Sequence, residues 1–180
     1  MAARRLTAAR AALPGLLALL LWTAPAAAAQ PLPDVAPVPG GPPVAYRQVE
    51  VQVQAPDGRT GLRLRAYDPV DDVSRSHGLM GVTDLPADAG MLFRWTGPRA
   101  GGFWMLDTPL PLSIAFADEH GVIVDLLDME PCPAAPCPSY RPAAPYVTAL
   151  EVNRGVFAAA GVAPGWRLAL PSDLPHPPHP

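Results

Sequence analysis

Proline sets the strongest limit on what this chain can fold into. The sequence contains 26 prolines, roughly three times the usual share, and most of them lie in residues 31–43, 131–145 and 171–180. A proline inside a strand or helix removes a backbone hydrogen-bond donor, so each cluster is predicted to be a linker or a loop. The segments between the clusters leave room for short elements that are joined by turns.

The first 29 residues are predicted to be a secretory signal peptide. Arg4, Arg5 and Arg10 precede an apolar stretch from about Leu13 to Trp22, and small residues follow it. The apolar stretch is shorter than the roughly 20 residues that a membrane-spanning helix needs. We therefore expect a periplasmic or extracellular protein with no stable membrane span after cleavage. Retention at the membrane by an uncleaved signal is the alternative.

Charge limits the partners of the exported part. Ten arginines and 16 acidic residues remain after the predicted signal, which gives a net charge of −6, and the chain contains no lysine. An acidic domain without a basic run is not typical of nucleic-acid binders, so no nucleic-acid partner is expected. The lack of lysine excludes a Schiff-base lysine and a phosphate-loop lysine.

The two cysteines, Cys132 and Cys137, are predicted to form a small disulfide loop. Export would carry them into an oxidising compartment, where a close pair of thiols forms a disulfide. A zinc site usually needs about four ligands, and the four histidines stand alone or lie in the proline-rich tail. We therefore expect no metal and no other cofactor. Free thiols remain the alternative.

Period-two alternation predicts a hairpin at the start of the folded domain. Val49, Val51 and Val53 alternate with polar residues, and Leu62 and Leu64 do the same after a Pro-Asp-Gly turn. Further strands are predicted over residues 91–95, 103–106, 112–117, 122–129, 146–152 and 166–170, with short helices over 70–80 and 153–160. These elements predict a mainly β, β-rich α+β domain, a compact antiparallel barrel or sandwich of about eight short strands and two short helices.

The predicted organisation has four parts. Residues 1–29 are the signal peptide, 30–45 a Pro-rich linker, 46–170 a single β-rich domain and 171–180 a disordered Pro/His tail.

Six short motifs follow one another over about 80 residues of this domain. They are His77-Gly78-Leu79-Met80, Leu85-Pro86 with Gly90-Met91-Leu92-Phe93, Phe103-Trp104-Met105 with Asp107-Thr108, Pro111-Leu112 with Phe116, Pro136-Cys137-Pro138-Ser139-Tyr140, and Leu150-Glu151-Val152-Asn153 with Gly155. In order and spacing they resemble the family called domain of unknown function 192 (DUF192), from about Gln48 to Leu170. The resemblance implies a compact mainly β fold, frequent export and no established activity. His77 stands where the family usually has arginine.

The apolar segment that begins at Phe103 is interrupted by Asp107 and Thr108. In one interpretation their side chains satisfy backbone donors at a turn where a strand stops. In the other, Asp107 is a carboxylate at the mouth of an apolar pocket that Trp104 helps to line. The candidate binding residues are Trp104, Asp107, Thr108 and Tyr140.

Glu151 and His77 are the other candidates for chemistry. Glu151 lies in an apolar strand, and an inward-pointing carboxylate needs a hydrogen-bond donor. The candidate donors are three arginines of the same domain, Arg75, Arg94 and Arg154. Alternatively, Glu151 and Asp107 form a pair of carboxylates for general acid/base work on a sugar. His77 either interacts with the end of a short helix or acts as a titrating acid or base.

Three functions are compatible with this sequence. The first is a non-catalytic binding or accessory module of the cell envelope, whose partner is a small ligand or an envelope component. The second is a glycan-directed hydrolase that uses Asp107 and Glu151. The third is a purely structural domain. The first is preferred because the chain lacks a catalytic signature such as a nucleophile elbow.

Overall fold

The computed structural model of this chain describes residues 35–42 and 44–175. The predicted signal peptide and the last five residues, including His176 and His179, lie outside the described residues. The described strands are β1 Val35–Pro37, β2 Ala45–Gln54, β3 Thr60–Asp68, β4 Ala89–Arg99, β5 Leu112–Ala117, β6 Ile123–Met129, β7 Tyr146–Asn153 and β8 Arg167–Ala169. The described helices are α1 Asp72–His77 and α2 Val156–Ala159. The mainly β fold with two short helices is confirmed.

The strands form one sheet in the order β1-β2-β3-β4-β7-β5-β6, and β8 pairs with β2. Every pair is antiparallel except β3 with β4, which run parallel with Tyr67 opposite Met91. Parallel neighbours cannot be joined by a tight turn, so the chain between them makes a crossover, and this crossover contains α1. Strand pairing does not close the sheet into a barrel, and the arrangement is sandwich-like.

The central strands β5 and β7 are buried on both faces, and so is β4 over residues 89–94. Successive side chains of a strand point to opposite faces, and these strands contribute alternately to two separate apolar clusters. On β7, Ala149 lies in the first cluster, whereas Leu150 and Val152 lie in the second. Glu151 therefore points to the face of the first cluster, which also contains Phe93.

The segment Phe103–Leu106 is not a strand, contrary to the sequence prediction. Phe103 makes an isolated bridge to Tyr140, and Leu106 makes another to Cys132. The two residues meet different partners, and the segment lies between a Gly-Gly pair and Asp107, whose φ is +52°. It is therefore too short to pair with one neighbour as a ladder. Together with Asp107 and Thr108 it forms a loop, Phe103–Thr108, which we call the loop wall.

The folded part extends beyond the predicted domain at both ends. Val35–Pro37 lies within the predicted linker, yet it pairs with β2 and is followed by the buried Val38. A proline is tolerated there because β1 is an edge strand, where a missing donor costs little. At the other end Leu174 packs against the second cluster, and the Pro175 carbonyl accepts a hydrogen bond from Arg94 Nη1 at 2.8 Å.

Candidate functional site

A cavity of about 280 Å³ opens on the face of the first cluster. Its lining comes from α1 and the residues after it, from β4, from the loop wall Phe103–Thr108, and from Tyr146 and Glu151 on β7. A second cavity, of about 440 Å³, shares Asp72, Arg75 and Arg99 with the first. The crossover between β3 and β4 therefore places one wall of the site and the central strands place the floor.

Capping interactions at both ends define the short helix α1. The Ser74 N–H donates to Asp71 Oδ1 at 2.8 Å, and the Asp71 N–H donates to Ser74 Oγ at 3.2 Å, which makes a capping box. The hydrogen bond from the Ser74 backbone lowers the pKa of Asp71. The helix ends at Gly78, whose φ of +53° suits glycine. Arg75 and His77 lie between these ends and line the cavity.

Asp68, at the end of β3, forms a buried ion-pair cluster close to α1. Its side chain is 1% exposed and pairs with Arg47 and with Arg94. A buried carboxylate needs charged donors, and the two guanidinium groups supply them. The N-cap of α1 is Asp71, which directly precedes the helix.

Glu151 is buried at the cavity without a charge partner. The residue is 4% exposed, and within the described part of the chain its carboxyl group accepts no hydrogen bond. Burial raises the pKa of Glu151 to about 8, so the group is a neutral acid at pH 7. A neutral carboxylic acid can both donate and accept a hydrogen bond.

The predicted ion pair between Glu151 and an arginine is wrong. Each candidate arginine pairs with a different carboxylate: Arg75 with Asp72 at 2.5 Å, Arg94 with Asp68 at 2.8 Å and Arg154 with Glu130 at 2.7 Å. These carboxylates are closer to the guanidinium groups, and two of the three are exposed and therefore ionised at little cost. No arginine offsets the burial of Glu151, and burial raises its pKa, so the group loses its proton only at higher pH.

Two further polar atoms of the cavity lack a partner. Arg75 Nη1 and His77 Nε2 are both buried, and neither makes a hydrogen bond to any residue that the structure describes. Native proteins pair almost all of their buried polar atoms. Together with Glu151, they make one cavity in which three polar side chains can receive a bound molecule.

Aromatic side chains form the apolar part of the cavity. The Phe93 and Phe103 rings lie edge to face with centroids 5.0 Å apart, and the Trp95 and Tyr146 rings do so at 5.5 Å. The guanidinium carbon of Arg99 lies 4.9 Å from the centre of the Trp95 ring. At this distance a cation interacts favourably with the face of an aromatic ring.

Trp104 and Thr108 line the cavity, as the sequence suggested, whereas Asp107 does not. Trp104 is 53% exposed at the rim. Thr108 is buried, and its Oγ1 donates to the Leu106 carbonyl at 3.3 Å. The Asp107 side chain is exposed. Its backbone accepts from the Gly81 N–H at 2.8 Å and donates to the Cys132 carbonyl at 2.9 Å.

Asp107 is therefore a turn residue, and the pair of carboxylates proposed from the sequence is not assembled in one cavity. Asp tolerates a positive φ better than most residues, which explains an acid at this position.

The family model named DUF192, described as uncharacterized ACR, matches residues 52–170. The chain belongs to the DUF192 family. The match includes every residue of the cavity described above, so the cavity is part of the family domain. No curated protein sequence matches the chain.

Two solved structures resemble this DUF192 domain. One is a Sinorhizobium meliloti 1021 protein provisionally described as a transcription regulator, with 31% sequence identity and a TM-score of 0.63, and the match covers 69% of this chain and 95% of that chain. The other is a protein of unknown function from Novosphingobium aromaticivorans DSM 12444, with 26% identity and a TM-score of 0.64, covering 76% of this chain and 94% of that chain.

The disulfide predicted from the sequence is present in this DUF192 domain. Cys132 and Cys137 are bonded, with Cα atoms 5.9 Å apart. Cys132 bridges both Leu106 and Thr108, so the disulfide loop lies directly against the loop wall of the cavity. Tyr140, a candidate binding residue, instead supports this wall from behind, because its backbone pairs with Phe103 and its hydroxyl accepts from the Glu130 N–H at 2.9 Å.

The described residues contain neither a candidate metal site nor a candidate membrane-spanning helix. Over 35–42 and 44–175 no group of three or more His, Cys, Asp or Glu side chains is placed to hold a metal ion. No helix in that part of the chain is long and apolar enough to cross a membrane.

Sequence reasoning missed Arg75 and Arg99 as residues of the site. The sequence presents Arg75 only as a candidate partner for Glu151, and residues two apart on a helix are expected on different faces, so the spacing of Arg75 and His77 does not predict that both line one cavity. Arg99 follows an irregularity in the pairing of β4 with β7. The alternation of side chains along the strand is interrupted there, so it does not predict on which face Arg99 lies.

Proposed function

We propose that this DUF192 domain is an exported, non-catalytic binding or accessory module of the cell envelope, which holds a small ligand in the cavity beside Glu151. One observation carries the proposal: the lining of one cavity contains Arg75 Nη1 and His77 Nε2, both buried without a hydrogen-bond partner among the described residues, and the buried Glu151. Because buried polar groups are normally paired, such a cluster is typical of a ligand site. The rim residue Trp104 supplies an exposed aromatic surface, which is frequent in binding sites.

Export is supported by two features of the chain. The amino-terminal segment has the charge, apolar core and small residues of a secretory signal. The disulfide Cys132–Cys137 is of a kind that persists in oxidising compartments and is rare in the cytosol.

The other functions have less support. A hydrolase that uses Asp107 and Glu151 needs both carboxylates at one substrate, and only Glu151 lines the cavity. The description of the Sinorhizobium protein as a transcription regulator belongs to that protein. An excess of acids over arginines beyond the predicted signal disfavours DNA binding by this chain.

A screen of small molecules against the exported form of the protein tests the proposal. The panel contains small carboxylates, sugars and amines, and binding is followed by thermal shift and by nuclear magnetic resonance. We expect at least one ligand, whose affinity the Trp104→Ala variant reduces by roughly tenfold, a common effect of removing an aromatic contact.

Asp107→Asn is the matched control, since it changes the same loop wall outside the cavity and should leave affinity unchanged. A panel without any ligand, or a ligand that Trp104→Ala does not affect, would contradict the proposal.

A further inference from the structure

We propose that the ligand is a small organic carboxylate, whose anionic end is held by Arg75 and His77 and whose body lies among the aromatic side chains of the cavity. The inference rests on the ligand-binding function proposed above and specifies the chemistry of the ligand. It follows from the hydrogen-bonding capacity, the charge and the size of the site.

Hydrogen-bonding capacity requires an acceptor on the ligand. The Arg75 side chain is 8% exposed, and a guanidinium group only donates hydrogen bonds. Its Nη2 is paired with Asp72 at 2.5 Å, which fixes the orientation of the group, whereas its Nη1 has no partner among the described residues. Only an acceptor can satisfy Nη1. His77 Nε2, two residues further along the chain, is buried without a partner as well and can donate to the same ligand group.

The charge of the cavity selects an anion. The charged side chains in the lining are Arg75 and Arg99 against Asp72. Glu151 adds no charge at pH 7, because burial raises its pKa, and burial likewise raises the pKa of Tyr146 and keeps its phenol neutral. The lining is therefore net positive, so an ammonium ligand would be repelled and an anion attracted.

Size and shape favour a carboxylate with a ring or another flat body. At about 280 Å³ the cavity lies just below the usual range for ligand pockets, so it suits a small ligand. Phe93 and Phe103 present apolar faces inside it, and Trp104 does so at the rim. A doubly charged phosphate fits less well, because one open guanidinium nitrogen would face it while Asp72, one turn away on α1, repels it.

Three probes that share one ring and differ in charge test the inference: sodium benzoate, benzamide and benzylamine. Their affinities are measured at pH 7 by isothermal titration calorimetry, with chemical-shift mapping to locate them. We expect benzoate to bind in the cavity and the neutral and cationic probes to bind at least roughly tenfold more weakly, the effect of losing one charged hydrogen bond.

The Arg75→Gln variant should weaken benzoate binding by a similar factor. Arg63→Gln is the matched control, because Arg63 is an exposed arginine that pairs with Glu50 on the strands β2 and β3. Melting temperatures of both variants show whether the fold is kept, and Arg75→Lys, which keeps the charge, should recover part of the affinity.

The pH dependence gives an independent readout. Benzoate is ionised at both pH 7 and pH 9.5, whereas Glu151 gains its charge between them, so benzoate affinity should fall by roughly tenfold. The fall should vanish in Glu151→Gln. The other titratable and charged side chains of the lining are Asp72, Arg75, His77, Arg99 and Tyr146. The His77→Gln variant removes the imidazole from this set. In that variant the decrease in benzoate affinity between pH 7 and pH 9.5 should persist.

The outcomes separate this inference from the proposed function. If benzamide or benzylamine binds in the cavity more tightly than benzoate, the inference that the ligand is a carboxylate is wrong, whereas the proposed binding function still holds. Benzoate binding that Arg75→Gln leaves unchanged would overturn the assigned anchor. If none of the three probes binds, the inference fails, and the broader panel with Trp104→Ala then decides separately whether the cavity binds ligands at all.

Discussion

Glu151 shows how one residue can link stability to pH. Its pKa is about 8 in the folded protein against an ordinary value of 4.5, and burial is the cause. Between these pH values the folded state holds a proton that the unfolded state has lost. The free energy of unfolding therefore falls as pH rises from about 4.5 to about 8, and above this range the loss is complete.

The Glu151→Gln variant should lack this pH dependence, because the amide keeps the shape of the side chain and does not ionise. Relative to the variant, the wild-type protein should lose up to about 4 kcal/mol of unfolding free energy between pH 5 and pH 9. Urea unfolding of both proteins at pH 5, 7 and 9 measures the difference. Parallel stability curves would show that Glu151 ionises as an ordinary exposed acid.

Part of this residue's environment could be predicted from the sequence. The sequence places Glu151 in an apolar strand, which makes it a candidate for an inward-pointing carboxylate. That Arg94 would not pair with Glu151 could not be predicted, since Asp68 reaches Arg94 only through the pairing of β3 with β4. That contact joins distant parts of the chain, and no local pattern in the sequence reports it.

Among the elements, β4 determines how closely the floor of the cavity is packed. A Cβ atom at Gly90 would lie 2.5 Å from the carbonyl oxygen of Glu151 on β7, so only glycine allows these two strands to approach as they do. A Cβ atom at Gly97, on the same strand, would have nothing within 4 Å. The two glycines thus provide a matched pair for one test.

The Gly90→Ala variant should be less stable by about 1–3 kcal/mol, because the methyl group forces the backbones of β4 and β7 apart. Gly97→Ala should change stability by less than about 0.5 kcal/mol. Chemical denaturation gives both values, and ligand affinity should fall only in Gly90→Ala, since Glu151 moves with its strand. Equal stability of the two variants would argue against the close approach.

Elements that local pattern determines were predicted well, and those that distant contacts determine were not. The hairpin β2–β3 follows from alternation and a Pro-Asp-Gly turn, all within 20 or so residues of sequence. The parallel pair β3–β4 and the edge strand β1 depend on chain crossover and on a partner strand. The segment Phe103–Leu106 of the loop wall has strand composition, yet its two ends bridge different neighbours.

At the scale of the whole molecule, backbone hydrogen bonds connect the disulfide loop to the loop wall of the cavity. The Cys132 carbonyl accepts from the Asp107 N–H, and the Asp107 carbonyl accepts from the Gly81 N–H beyond α1. This chain of hydrogen bonds runs from the disulfide loop across the loop wall to the crossover that carries Arg75 and His77. Both sides of the site are therefore connected to the sulfur bridge.

The double variant Cys132→Ser/Cys137→Ser should lose about 2 kcal/mol of stability, the chain-entropy value for so short a loop. Amide hydrogen exchange at Asp107 and Phe103 should become faster, because the wall loses the support of a closed loop. Reduction of the wild-type protein should give the same result. Unchanged stability and exchange would mean that the backbone hydrogen bonds alone hold the wall.

The position of this bridge bears on where the protein can work. On the proposed export route the chain meets oxidising conditions only after it has left the cytoplasm. A molecule still inside the cell would hold its loop wall by hydrogen bonds alone, and its affinity for a ligand would be lower. Formation of the disulfide after export would then delay full binding capacity until the protein reaches its destination. Abundant cytoplasmic metabolites would not occupy the cavity before that point.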